Sequence, residues 1–141
     1  MDTSIIEFIS EHHLLTLATS NNNIPYCCNV YYVFNQQTNS LIFASDGKTK
    51  HAQHFTENPK VAGTVALETL DIEKIQGLQL MGEVSELIGE EFQNAKKQYL
   101  KSFPYAEKMD PKLWEMKLTF IKMTHNKLGF GKKLVWEENH Q

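Results

Sequence analysis

Apolar and polar positions change period along the chain at points that mark out most of its elements. Residues 2–13 carry Ile5, Ile6, Phe8 and Ile9 as one apolar stripe, which predicts a short amphipathic helix, and Ser4 followed by Glu7 fits a capping box at its start. The pattern then becomes that of strands. "LLTLATS" (14–20) and "YCCNVYYVF" (26–34) flank the turn "NNNIP", and "NQQTN" leads into "LIFAS" (41–45), so residues 14–45 predict a three-stranded meander.

Helical spacing returns over 49–57 and is stopped by Asn58-Pro59. "VAGTVAL" (61–67) predicts a fourth strand and "IQGLQLMGEVSELI" (75–88) a long fifth, in which Gly77 and Gly82 suggest bulges or bends. Residues 89–103 predict a helix with Phe92, Ala95, Tyr99 and Phe103 on one side, acids early and lysines late. Residues 113–124 alternate, with Trp114, Met116, Leu118 and Phe120 facing one way, and "LVW" (134–136) adds a last short strand.

Six substantial strands without regular interleaving by long helices argue against a doubly wound parallel sheet. Such strands, apolar on both faces, are best satisfied by curling into an antiparallel barrel, which removes exposed edges. The expected architecture is mainly β within an α+β class: a six-stranded barrel with short flanking helices, one domain over 1–141.

Composition narrows the function. The chain has 141 residues, 41% of them apolar and 22% charged, with 14 Lys+Arg against 17 Asp+Glu and a formal charge of -3. That balance argues against a nucleic-acid partner, which needs a clustered basic face. No apolar run is long enough to span a bilayer and no signal-peptide core stands at the start, so the expected setting is cytoplasmic with no membrane partner. The two cysteines, Cys27 and Cys28, are neighbours on a strand, point to opposite faces, and are expected to be reduced thiols.

Several chemistries find little support. His51 and His54 share a helical spacing but lack a third ligand nearby, so no metal is expected and both read as surface histidines. His12 and His13 read as helix-end residues. "GFGKK" (129–133) lacks the spacing of a nucleotide-triphosphate loop, and no dinucleotide fingerprint follows the first strand. Nothing selects a nucleophile or a tuned pair of carboxylates, so no catalytic residue is assigned.

One stretch has a clear chemical sense. In "ASDGKTKHAQHF" (44–55) a strand becomes a helix, and Ser45, Gly47, Lys48, Thr49 and Lys50 gather at the junction. A phosphate monoester carries about two negative charges. Lys48 and Lys50 can neutralise them, Ser45 and Thr49 can donate hydrogen bonds, and Gly47 lets backbone N–H groups approach. The alternative is a solvated lysine-rich turn with Thr49 as helix N-cap.

This meander, followed by "SDGKTKHAQHF…NPKVA" and a long strand containing "GLQLMGEV", resembles the FMN-binding split-barrel family related to pyridoxamine phosphate oxidase. The ending "LWEMKL…IKMTHNKLGFGKKLVW" resembles its YhbP-like branch of small bacterial proteins. The resemblance implies a homodimer of split barrels with FMN in the clefts between subunits. By position it implies that Ser45, Thr49 and Lys50, with Lys48 as helper, hold the FMN phosphate. It further implies Asn29 and Gln79 as ring contacts, and Thr124, His125 and Lys132 as residues by which the partner subunit completes the pocket. A cation near the ring would favour the anionic reduced flavin.

The oxidase holds its substrate with Arg and His residues in its C-terminal motif. Here that stretch is "GFGKK" and the chain has no Arg, which sets it apart from the vitamin-forming enzyme. The leading expectation is an FMN-dependent oxidoreductase using a small-molecule substrate or electron donor. The alternatives are a haem protein on the same fold, with His125 or His51 as axial ligand, a deazaflavin binder, or a dimeric binding module without turnover.

Overall fold

Each alternating segment of the sequence becomes a strand in the computed structural model, which describes residues 1–139. In chain order the elements are α1 (Thr3–Glu11), β1 (Leu14–Asn21), β2 (Ile24–Asn35), β3 (Ser40–Ala44), α2 (Lys50–Glu57), β4 (Lys60–Ala66), β5 (Gln76–Glu86), α3 (Gly89–Ser102), β6 (Leu113–His125) and β7 (Lys133–Glu137). The strands pair antiparallel in the order β3-β2-β1-β4-β5-β6-β7, and β3 also pairs with β6. That extra pairing, from Ser40↔Lys117 to Ala44↔Leu113, closes six strands into a barrel and leaves β7 appended to β6. Closure removes the unpaired edge that β3 would otherwise present.

Leu15, Leu17, Tyr32, Leu41, Phe43, Leu78, Leu80, Met116 and Leu118 are buried inside the barrel, joined by Ile5, Phe8 and Ile9 of α1 and by Ala52 and Phe55 of α2. A second cluster lies where Val33, Ile42 and Leu113 meet Ala95, Tyr99 and Phe103 on or at the end of α3. Strand β3 is therefore buried on both faces, which explains its continuous apolar run. Tyr32 is fully buried and donates its hydroxyl to the Ile9 carbonyl at 2.8 Å, satisfying a group in the last turn of α1. Cys28 packs against the core and Cys27 is exposed; both are free thiols.

Three local expectations need correction. The N-cap of α1 is Asp2, whose carboxylate accepts the Ser4 N–H at 2.8 Å, so the Ser4–Glu7 capping box does not form. In β6 the alternation breaks: Met81 faces Phe120 but Gly82 faces Leu118, so Thr119 is an extra residue in a bulge. The bulge flips the phase, and Ile121 and Met123 are buried in place of Phe120. Gly82 sits at that bulge, where a Cβ would overlap the Lys117 carbonyl oxygen. Gly77 does not mark one; it pairs regularly with Ala66 and Thr124.

Among the described residues no helix is long and apolar enough to cross a membrane.

Candidate functional site

Packing fixes where β3 hands over to α2. Phe55 of α2 sits edge-on to Trp114 with ring centroids 4.7 Å apart, and Phe43 meets it from β3 at 6.0 Å. The Trp114 indole N–H donates to the Ser45 carbonyl at 3.0 Å, and the Ser45 N–H donates to the Lys112 carbonyl at 3.1 Å. The turn between is built by Asp46, whose carboxylate accepts the Lys48 N–H at 2.8 Å and whose carbonyl accepts the Thr49 N–H at 3.1 Å. Thr49 is the N-cap of α2, accepting the Ala52 N–H at 3.3 Å while its hydroxyl lies 2.7 Å from the Asp46 carbonyl.

A groove of about 790 Å³ opens at this junction. It is lined by Ser45, Gly47, Lys48 and His51, by Asn29 and Tyr31 of β2, by Tyr99 of α3, by Tyr105 and Met109 of the 3-10 turn (Pro104–Met109) that follows it, and by Lys112 just before β6. Ser45 and Lys48 of the turn thus meet Asn29 of β2 in one cavity. Lys48 has no ion-pair partner among the described residues, whereas Lys112 lies 3.4 Å from Glu86. Asn29 accepts the Thr16 hydroxyl proton at 2.8 Å through its carbonyl oxygen, which leaves its NH2 donors free. Lys50 leaves the groove and stands over the Tyr26 ring, 5.0 Å from its centroid.

The remaining sequence candidates lie elsewhere within one chain. Gln79 is exposed on β5, in a row that runs Asn29↔Thr16↔Thr64↔Gln79↔Lys122 across the outer face of the sheet. Thr124 and His125 end β6, and His125 donates its N–H to the Lys132 carbonyl at 2.9 Å across the hairpin to β7. β6 spans 13 residues, roughly 40 Å of extended chain, and its other end, Leu113, is the one beside the groove. Among the described residues, His125 Nδ1 is buried without a hydrogen-bond partner.

The histidines of α2 depart from the expectation that they lie on the surface. His54 is buried and shares a 3.0 Å hydrogen bond with the Thr19 hydroxyl, tying α2 to β1. His51 is half-buried, and its Nε2 contacts both the Ser45 hydroxyl and, at 3.2 Å, the Thr49 hydroxyl. Burial holds its pKa below the usual histidine value. Burial, with the neighbouring Tyr105, pushes the Tyr99 phenol up to about 12. The groove therefore offers neutral hydroxyls, an imidazole, an amide and Lys48 to whatever enters, with Lys112 and the carboxylates of Asp46 and Asp110 also on its lining.

Residues 1–127 match the family model described as pyridoxamine 5'-phosphate oxidase. The chain belongs to the pyridoxamine 5'-phosphate oxidase family. Within it, a UPF0306 protein of Yersinia pestis is 39% identical over 132 residues, 94% of this chain and 90% of that one. Two solved structures share the fold at low identity. A heme binding protein from Mycobacterium smegmatis superposes with a TM-score of 0.77 at 15% identity, covering 92% of this chain and 55% of that one. A FAD-binding protein from Mesorhizobium loti has a TM-score of 0.72 at 12% identity, covering 87% and 93%.

For this member of the pyridoxamine 5'-phosphate oxidase family, reasoning from sequence named His51 only as a surface histidine or a haem ligand and missed its contact with Ser45, and it missed Lys112 and the tyrosines Tyr31, Tyr99 and Tyr105. His51 carried a signal, since a polar residue in the first turn of a helix that follows Ser-Asp-Gly can reach back to the serine. Lys112 and the tyrosines come from distant elements and carried none.

Proposed function

We propose that the chain binds FMN and works as a flavin-dependent oxidoreductase on a small molecule, with the phosphate held at the β3–α2 junction. The observation that carries this reading is the convergence of Ser45, Lys48 and Asn29 on one groove beside the first turn of α2. The donor set fits a phosphate ester: a hydroxyl, an ammonium group without a competing carboxylate partner, and approachable backbone at Gly47. Family membership supports it from outside the geometry. Bound FMN would supply hydride exchange, while the protein's part is to hold the phosphate and place the ring against β2. The chain lacks Arg, so substrate recognition differs from that of an enzyme relying on Arg in its C-terminal motif.

The working unit in this reading is a homodimer. Thr124, His125 and Lys132 stand at the opposite end of β6 from the groove and can reach a ring bound there only from a second copy. The outer faces of β4 and β5 expose Ala62, Thr64, Ala66, Gln79 and Met81, a surface poor in charge that suits a self-interface. A haem reading is less well supported. His51 Nε2 is already engaged by two hydroxyls, and an axial bond to it would break both contacts.

Equilibrium binding to a Lys48→Ala variant, which removes the ammonium group that lines the groove, tests the proposal, with sedimentation as control. FMN affinity should fall at least tenfold, the loss of one charge-assisted bond, while the dimer persists. Unchanged affinity removes the phosphate site.

A further inference from the structure

We infer that His51 is a positioning residue that holds the Ser45 hydroxyl as a hydrogen-bond donor aimed at an anion in the groove. The inference rests on the phosphate reading above and deepens it by assigning the proton. A hydroxyl has one hydrogen. That of Thr49 goes to the Asp46 carbonyl at 2.7 Å, and Thr49 Oγ1 also accepts the Ala52 N–H. Its 3.2 Å contact with His51 Nε2 therefore needs the proton on Nε2, an assignment made from the network. With Nε2–H donating, the Ser45 Oγ beside it is an acceptor, and among the described residues it has no other partner.

The proton of Ser45 is then free, and Ser45 lines the open groove. The opposite tautomer would reverse the site. A bare Nε2 would take the Ser45 proton and leave only lone pairs facing an incoming phosphate, which repel it. Protonation of the ring does not undo the arrangement, because the imidazolium also donates from Nε2. The charged groups that share the cavity with His51 are Asp46, Lys48, Asp110 and Lys112, and none of them bonds to its ring. Burial keeps the ring neutral near pH 7, so the effect is one of proton direction more than of charge.

Two measurements test it. The first reads the His51 tautomer from imidazole nitrogen shifts of the full chain without flavin, before and after inorganic phosphate. Nε2–H is expected, with His51 shifts moved by phosphate; Nδ1–H overturns the inference whether or not the chain binds flavin. The second compares FMN with riboflavin, which lacks the phosphate. His51→Phe, which keeps the bulk without the donor, should reduce the FMN preference about tenfold, and His51→Gln, which restores an N–H, should recover it to within about threefold. A wild-type preference retained in His51→Phe also overturns it. A wild-type chain that does not favour FMN over riboflavin counts against the flavin phosphate reading itself, and the tautomer then decides the inference alone.

Discussion

Trp114, the second residue of β6, donates its indole N–H to the carbonyl oxygen of Ser45 at 3.0 Å, so the closing seam of the barrel holds the first residue of the candidate site. The ring also stacks edge-on with Phe55 of α2, and one side chain thereby fixes strand end and helix together. Trp114→Phe keeps most of the packing and removes the donor. It should cost about 1–3 kcal/mol in chemical denaturation and weaken FMN about threefold to tenfold. Full FMN affinity in a variant of normal stability would mean that Ser45 is held by other contacts.

Tyr32→Phe separates fold from site. Among the described residues its hydroxyl bonds only the Ile9 carbonyl, inside the core and away from the groove. The unpaired carbonyl should cost about 1–3 kcal/mol of stability, read from urea melts, with ligand affinity unchanged. An affinity loss equal to that of Trp114→Phe would contradict this division.

Two glycines make a matched pair. At Gly82 a Cβ would collide with the Lys117 backbone, whereas at Gly77 its nearest neighbour is the Val65 carbonyl oxygen at 3.4 Å. Gly82→Ala should destabilise by about 1–3 kcal/mol as overpacking does, and Gly77→Ala by less than about 0.5 kcal/mol. Equal costs would show that the bulge does not need its glycine.

His51 gives a pH signature. Its folded pKa lies below the ordinary 6.5, so between the two values the unfolded chain binds more protons than the native one. Stability should therefore rise with pH through that window and fall as the solution is acidified below about 6.5. Melting temperatures of His51→Gln should show a shallower acid slope than wild type. The difference is small because the ring is half-exposed, and an identical slope would remove this histidine from the acid response.

Much of the fold was legible from alternation alone, since a half-buried strand must place apolar residues at every second position. All six barrel strands, and the stop of α2 at Asn58-Pro59, follow from local rules. Phe120 was misjudged because a bulge shifts phase without changing composition, and Ser4 because Asp2, two residues earlier, takes the N-cap by accepting the Ser4 N–H. At the site, the Ser45–Lys48 turn was readable as a run of phosphate-friendly residues. The wall of Tyr31, Tyr99 and Tyr105 was not, because α3 comes over β2 and β3 through packing that brings together residues some 70 positions apart, as in the Tyr99 hydroxyl bond to the Tyr31 carbonyl.

The most direct measurement of the central claim is a titration of purified chain, stripped of any colour, with FMN and with riboflavin, followed by flavin fluorescence. If a phosphate ester docks at the Ser45–Lys48 turn, FMN should bind at least thirtyfold more tightly, in line with two charge-assisted bonds. Equal affinity for the two flavins, or binding of neither, would contradict it.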